Sequence, residues 1–205
     1  ERIADPGGSC LSGRFHSLVD LLRQVTGSHA FGLGRDHATQ ADGNGPEDRN
    51  GARNADEIRL WREYISRQDA SWLCDDAGRC GGLAGDARFV IAGDLNNDPV
   101  DGAGHHDAIL ELLEHPRVLR MATPRSAGGE AKAREYAAAG IARRGAPAHV
   151  TGDFGPNVGA LRLDYVLPSV GFALVGSGVH WPAPGDPDAV FADGSDHHLV
   201  WVDLR

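Results

Sequence analysis

The run from Arg88 to Ala92, Arg-Phe-Val-Ile-Ala, is short, apolar and rich in β-branched side chains, and it stops at Gly93-Asp94. A run of this length and composition predicts a buried strand. Such a strand needs layers packed over its faces. A helix starting at Asn54 supplies one, with Asn54 as its cap and Glu57 three residues on, as in a capping box. Ile58, Trp61 and Ile65 then repeat at helical spacing. Ile109, Leu110, Leu112 and Leu113 predict a second helix, ended by Pro116.

The C-terminal part reads as strands. Leu161, Leu163, Tyr165 and Leu167 alternate with Arg162, Asp164 and Val166, which predicts a strand with two unlike faces. Ala173–Trp181 and Leu199–Leu204 predict two more. Elsewhere the pattern is weaker. Residues 1–16 read as irregular, and residues 34–53 as a long Gly-rich loop. Leu18, Val19, Leu21, Leu22 and Val25 fit helix or strand. Ser28 to Asp36 makes a poor strand, and residues 122–159 are rich in Ala and Gly without a clear period. No internal repeat occurs. Helices alternating with buried strands give an α/β class, or α+β with layered sheets.

The 205 residues fit a single domain spanning 1–205. With 41% hydrophobic and 24% charged residues the chain is globular rather than disordered. Its 28 glycines, roughly twice the usual ~7%, call for many turns and long surface loops. The formal charge of −9 and the lone lysine, Lys132, argue against a broad basic face for nucleic acid. They leave room for a nuclease whose metal supplies local positive charge. No run approaches the ~18 apolar residues of a membrane span. The chain opens Glu1-Arg2-Ile3, without an initiator Met or an apolar leader, and reads as a mature or truncated chain.

Cys74 and Cys80 flank a turn-rich stretch, Asp75 to Arg79. A disulfide across a short hairpin fits this spacing and an oxidising compartment, and two free thiols fit it equally. Cys10 is the odd cysteine. No CxxC and no HExxH occurs, which disfavours a zinc framework.

Three motifs carry candidate chemistry. Gly93-Asp94-Leu95-Asn96-Asn97-Asp98-Pro99 follows the buried strand, where strand ends present side chains to a cleft. On an extended segment Asp94 and Asn96 point the same way. A calcium loop also begins Asp-x-Asn-x-Asp, but Pro99 stands where that loop needs Gly and His105 where it needs Glu. In Arg162-Leu-Asp-Tyr-Val-Leu-Pro-Ser169, Asp164 is a carboxylate inside an apolar strand and needs a partner. That partner is either Arg162 on the same face or a histidine that Asp164 orients. Gly194-Ser-Asp-His-His-Leu-Val-Trp201 places Asp196 and His197 at the entry to the last strand. Histidine is the side chain best suited to proton transfer near neutral pH.

In this order, and near the C-terminus, the three motifs resemble the endonuclease/exonuclease/phosphatase superfamily, with a fold like pancreatic deoxyribonuclease. The resemblance is strongest over residues 89–205. Upstream, His37-Ala-Thr, then Pro46-Glu-Asp-Arg-Asn-Gly51 and Arg53-Asn-Ala-Asp-Glu-Ile-Arg-Leu-Trp61, are similar to a bacterial, mostly exported subgroup. Ala38 stands where that subgroup has Pro. Thr151, Asp153 and Phe154 resemble another subgroup element. The fold implied is a layered sandwich of two β-sheets flanked by helices. Family members open with two strands carrying an Asn and a metal-binding Glu. Neither is found here, so this chain is expected either to lack those first strands, as the C-terminal portion of such a domain, or to be a divergent copy of it.

The resemblance also implies roles. Asp94 would position or activate the attacking water, and Asn96 would hydrogen-bond the scissile phosphate. Asp164 would hold the imidazole of His197, the general base or acid. Asp196 would sit at the metal site. His37 would assist as general acid or as a donor to phosphate. The cation would be Mg²⁺ or Mn²⁺, which hard oxygen ligands suit. The activity implied is divalent-metal-dependent hydrolysis of phosphodiester or phosphomonoester bonds. The substrate would be a small molecule, a lipid head group or nucleic acid, with no stable nucleic-acid partner. An extracellular or periplasmic location follows from the subgroup and the cysteine pair. A non-catalytic binding module, keeping the fold with an incomplete metal site, is the alternative. Arg49, Arg53 and Arg59 read either as phosphate ligands or as a salt-bridged helix start.

Overall fold

The computed structural model describes residues 29–31, 48–66, 70–141, 143–192 and 194–205. The central sheet has three strands: β1 (His29–Phe31), β2 (Phe89–Asp94) and β5 (Asp164–Pro168), in the order β1-β2-β5. β1 runs parallel to β2, and β2 runs antiparallel to β5, with Asp94 opposite Asp164. The poor strand expected over Ser28 to Asp36 thus contains a real one, three residues long, too short to show an alternating pattern.

Two helices, α1 (Arg49–Ser66) and α2 (His106–Leu113), join this sheet in the main core. Ile58, Trp61 and Ile65 of α1 and Ile109 and Leu112 of α2 are buried with Phe89 and Ile91 of β2 and Tyr165 and Leu167 of β5. The hydrophobic period predicted for both helices is therefore what packs. On the other face of β5, Val166 lines a small cleft with Val200 of β7 (Leu199–Leu204). β7 pairs antiparallel with β6 (Leu174–His180). Helices, then the three-stranded sheet, then the β6–β7 ribbon make the layered α/β arrangement. Among the described residues no helix is long and apolar enough to cross a membrane.

The start of α1 differs from the expectation. The helix begins at Arg49, and the Asp48 carboxylate accepts from Gly51 N at 3.3 Å, as a cap does. Asn54 is not a cap but a buried residue inside the helix. Its Nδ2 donates to Leu95 O at 2.9 Å, and its Oδ1 accepts from Asn97 Nδ2 at 3.1 Å. Asn54 therefore ties α1 to the turn that follows β2. Asn54→Ala is expected to cost about 1–3 kcal/mol, because it strands a buried carbonyl. A urea midpoint followed by circular dichroism reads this directly.

The Ala- and Gly-rich stretch resolves into α3 (Ala127–Ala138), a 3₁₀ turn (Pro147–His149), β3 (Gly152–Asp153) and the single turn α4 (Gly155–Val158). Ser126 caps α3 by accepting from Gly129 N at 3.1 Å. A Cβ on Gly128 would stand 2.2 Å from the Trp181 ring, so only glycine lets α3 approach so closely. The segment is glycine-rich for contact, which leaves no periodic apolar stripe to read.

The strand expected over Leu161–Leu167 is broken. β4 (Ala160–Leu161) pairs with β3, and β5 starts only at Asp164. Between them the backbone turns to side chains: Arg162 N donates to Asp98, and Leu163 N and Asp164 N donate to the Thr151 hydroxyl. Cys74 and Cys80 are disulfide-bonded across a β-bridge, so the hairpin reading of this pair holds.

Candidate active site

Antiparallel pairing of β2 with β5 sets Asp94 beside Asp164, and the loop into β7 brings His197 to both. His197 Nδ1 lies 3.1 and 3.0 Å from the two Asp164 oxygens. Its Nε2 faces Asp94, 4.0 Å from Oδ2. The choice left open for Asp164 is settled for the histidine. Arg162 instead stacks its guanidinium over the Tyr165 ring, 4.6 Å from the centroid.

Thr151 completes the arrangement. Its hydroxyl donates to Asp164 Oδ2 at 2.7 Å while accepting from Leu163 N and Asp164 N, each at 3.0 Å. The carboxylate is thus fixed from both sides, by a hydroxyl and an imidazole. Sequence reasoning singled out Thr151, Asp153 and Phe154 without a role for them. The same segment holds the histidine loop, since His198 N donates to Thr151 O and Asp153 N donates to Asp196 O, each at 2.8 Å. Phe154 meets the His197 ring edge-on at 5.2 Å.

The hydrogen bond to Asp164 raises the His197 pKa above the ordinary imidazole value. Burial works against this rise, and the charges of Asp164, Asp94 and Asp196 add to it. With its Nδ1 proton held by a carboxylate, the ring presents Nε2 toward Asp94.

Asn96 is half-buried and sits in the left-handed region at φ 50°, with its N–H donating to Asp94 Oδ1 at 2.8 Å. The expected extended segment with two parallel side chains is not present. An Asx turn links Asp94 to Asn96, a conformation that Asn tolerates better than most residues. Asp98 is turned inward, and its carboxylate accepts from Val100 N, Asp101 N and Arg162 N. It is a structural anchor, which removes the third oxygen that a calcium loop would need. Asp196 is exposed and acts on His197 through its charge. His37 lies outside the described residues. Arg53 pairs with Glu57, and Arg59 with Asp56 and Glu63, so the salt-bridged reading fits these two.

The Endonuclease/Exonuclease/phosphatase family model matches residues 13–197. The chain belongs to this family. The match includes the upstream segment, where motifs alone gave a weaker likeness, and it ends on the histidine of the site. No curated protein and no solved structure matches the chain. Members of the endonuclease/exonuclease/phosphatase family are typically metal-dependent hydrolases of phosphate esters. The donor chemistry here fits a divalent cation. Asp94, Asp164 and His197 each offer one ligand atom, all within 4.8 Å of one another and half-buried. Two carboxylates and an imidazole suit hard or borderline divalent ions.

Proposed function

We propose that this chain is a divalent-metal-dependent phosphoesterase that cleaves phosphodiester or phosphomonoester bonds with a water activated by His197 and Asp164. The observation that carries this reading is the Thr151–Asp164–His197 chain with Nε2 aimed at Asp94. The family match supports the reaction class.

In this reading Asp94 would position the attacking water and hold the cation, Mg²⁺ or Mn²⁺, with Asp196 adding a second carboxylate from its exposed loop. Asp164 and His197, the other two members of the three-ligand cluster, would serve the water rather than the cation. A divalent cation bound there supplies positive charge to the phosphoryl oxygens as negative charge develops on them. Asp164 keeps the proton on Nδ1 of His197 and fixes the ring. His197 then takes the proton of the attacking water at Nε2. The Asn96 amide, held at the Asp94 turn, donates to a non-bridging phosphate oxygen. His37 assists as a donor to phosphate or as general acid.

The acidic chain favours small or lipid-linked phosphate esters over a stable nucleic-acid complex. The Cys74–Cys80 bond favours an extracellular or periplasmic location.

The test is hydrolysis of bis-p-nitrophenyl phosphate and p-nitrophenyl phosphate with Mg²⁺ or Mn²⁺, beside a chelated sample. Turnover that the chelator abolishes and added metal restores is the expected result, and the preferred ester names the bond cleaved. Absence of turnover from folded, metal-loaded protein counts against the reading and favours a binding module.

A further inference from the structure

A cavity of about 200 Å³ lies between α3, the loop after β2 and the Pro147–His149 turn. Neither Asp94 nor His197 lines it, so it is separate from the candidate active site. Its wall is largely apolar, built from Val100, Tyr136, Ile141, Val150 and Ala160. Two arginines, Arg143 and Arg162, and two aspartates, Asp98 and Asp101, also line it. Among the described residues neither arginine makes an ion pair with a carboxylate, although the Asp98 charge acts on Arg162.

The carboxylates of both lining aspartates are already occupied. Asp98 accepts three backbone N–H groups. Asp101 accepts from Arg144 N and Gly145 N and pairs with the Arg144 side chain. Room has also been left for the Arg143 head group: a Cβ on Gly159 would stand 3.0 Å from its Nε and Nη2. Burial pulls the Arg162 guanidinium below the ordinary arginine range, against Tyr165 and Asp98. A group that burial disfavours in its charged form is relieved when an anion binds beside it.

Size narrows the ligand. A dry cavity of roughly 150 Å³ accepts benzene, so this one holds a single ring with a small substituent. Charge narrows it further, because guanidinium forks match the oxygens of phosphate, phosphonate and carboxylate groups. We propose that the cavity binds a compact organic anion, its ring-sized apolar body against Tyr136, Ile141 and Val150 and its anionic head on Arg143 and Arg162. This goes beyond the hydrolytic reading and does not depend on it.

The test is calorimetric titration of phenylphosphonate, which cannot be hydrolysed as an ester, into protein kept in chelator. Inorganic phosphate and benzyl alcohol are titrated separately. Saturable one-to-one binding of phenylphosphonate is expected, at least ~10-fold tighter than either half-ligand. Ala133→Phe, which fills the cavity from α3, should abolish it. Arg143→Gln should weaken it by about 10-fold or more. Arg143 is exposed and makes no side-chain hydrogen bond within the described residues, so this variant keeps its fold even if the first does not. Both variants should retain the metal-dependent turnover of the parent, which separates this proposal from the catalytic one. No saturable heat from the parent, equal affinity for inorganic phosphate, or full affinity in Arg143→Gln would each overturn the proposal.

Discussion

Alanine at position 197 is expected to lower kcat for a phosphate ester by about 10²–10⁴-fold, the usual range for loss of a positioned general base. The unfolding midpoint should move little. The His197 side chain is about one-third exposed, and its contacts are Asp164, Asp94 and the edge of Phe154. None of these belongs to the main core. KM should change less than kcat, because the imidazole acts on the attacking water rather than on the bound ester. Steady-state kinetics at saturating metal, with circular dichroism on the same samples, make the measurement. Activity within a few-fold of the parent would remove His197 from the chemistry and with it the role given to Asp164.

Much of that site is legible from residue order alone, for a physical reason. Asp164 stands out because a charge inside an apolar strand needs a partner, and His197 stands out because it enters the last strand beside an aspartate. Strand β7 has the predicted limits, Leu199–Leu204, because its pattern runs unbroken to the C-terminus. The features that stayed hidden depend on contacts distant in sequence. Asn54 reads locally as a cap, but its partners lie some forty residues away at Leu95 and Asn97. Thr151 looks like any loop threonine until β3 sets its hydroxyl under Asp164. Asp98 has the spacing of a cation ligand, yet three backbone N–H groups take up its carboxylate. Arg162 alternates in phase with Asp164, but the backbone turns to the Thr151 and Asp98 side chains between β4 and β5. Local pattern shows which residues are unusual, and only tertiary pairing shows which of them meet.

Asp164→Asn tests the link between those two residues most directly. The amide keeps the shape of the carboxylate and removes its charge. Turnover should fall by about 10²–10⁴-fold, because an amide can offer its NH₂ to Nδ1 and hold the wrong tautomer. A purely structural role for Asp164 would also lower activity, so the deciding readout is the His197 titration. In the metal-free parent the imidazole pKa is raised, with the Asp164 hydrogen bond as the largest cause. In the variant that cause is gone while burial, which lowers the value, remains. The titration followed by NMR should therefore move down, and the acidic limb of kcat should move to lower pH with it. The stability consequence has a fixed sign. A folded-state value above the unfolded one favours the fold fully below about pH 6.5 and fades as pH rises through the raised value. The stability gap between parent and Asp164→Asn should be widest just below that pH and narrow above the raised value. An imidazole that titrates at the same pH in both proteins would show that Asp164 does not hold His197 in solution. The loss of turnover would then belong to some other contact of that carboxylate, with Thr151 the first to test.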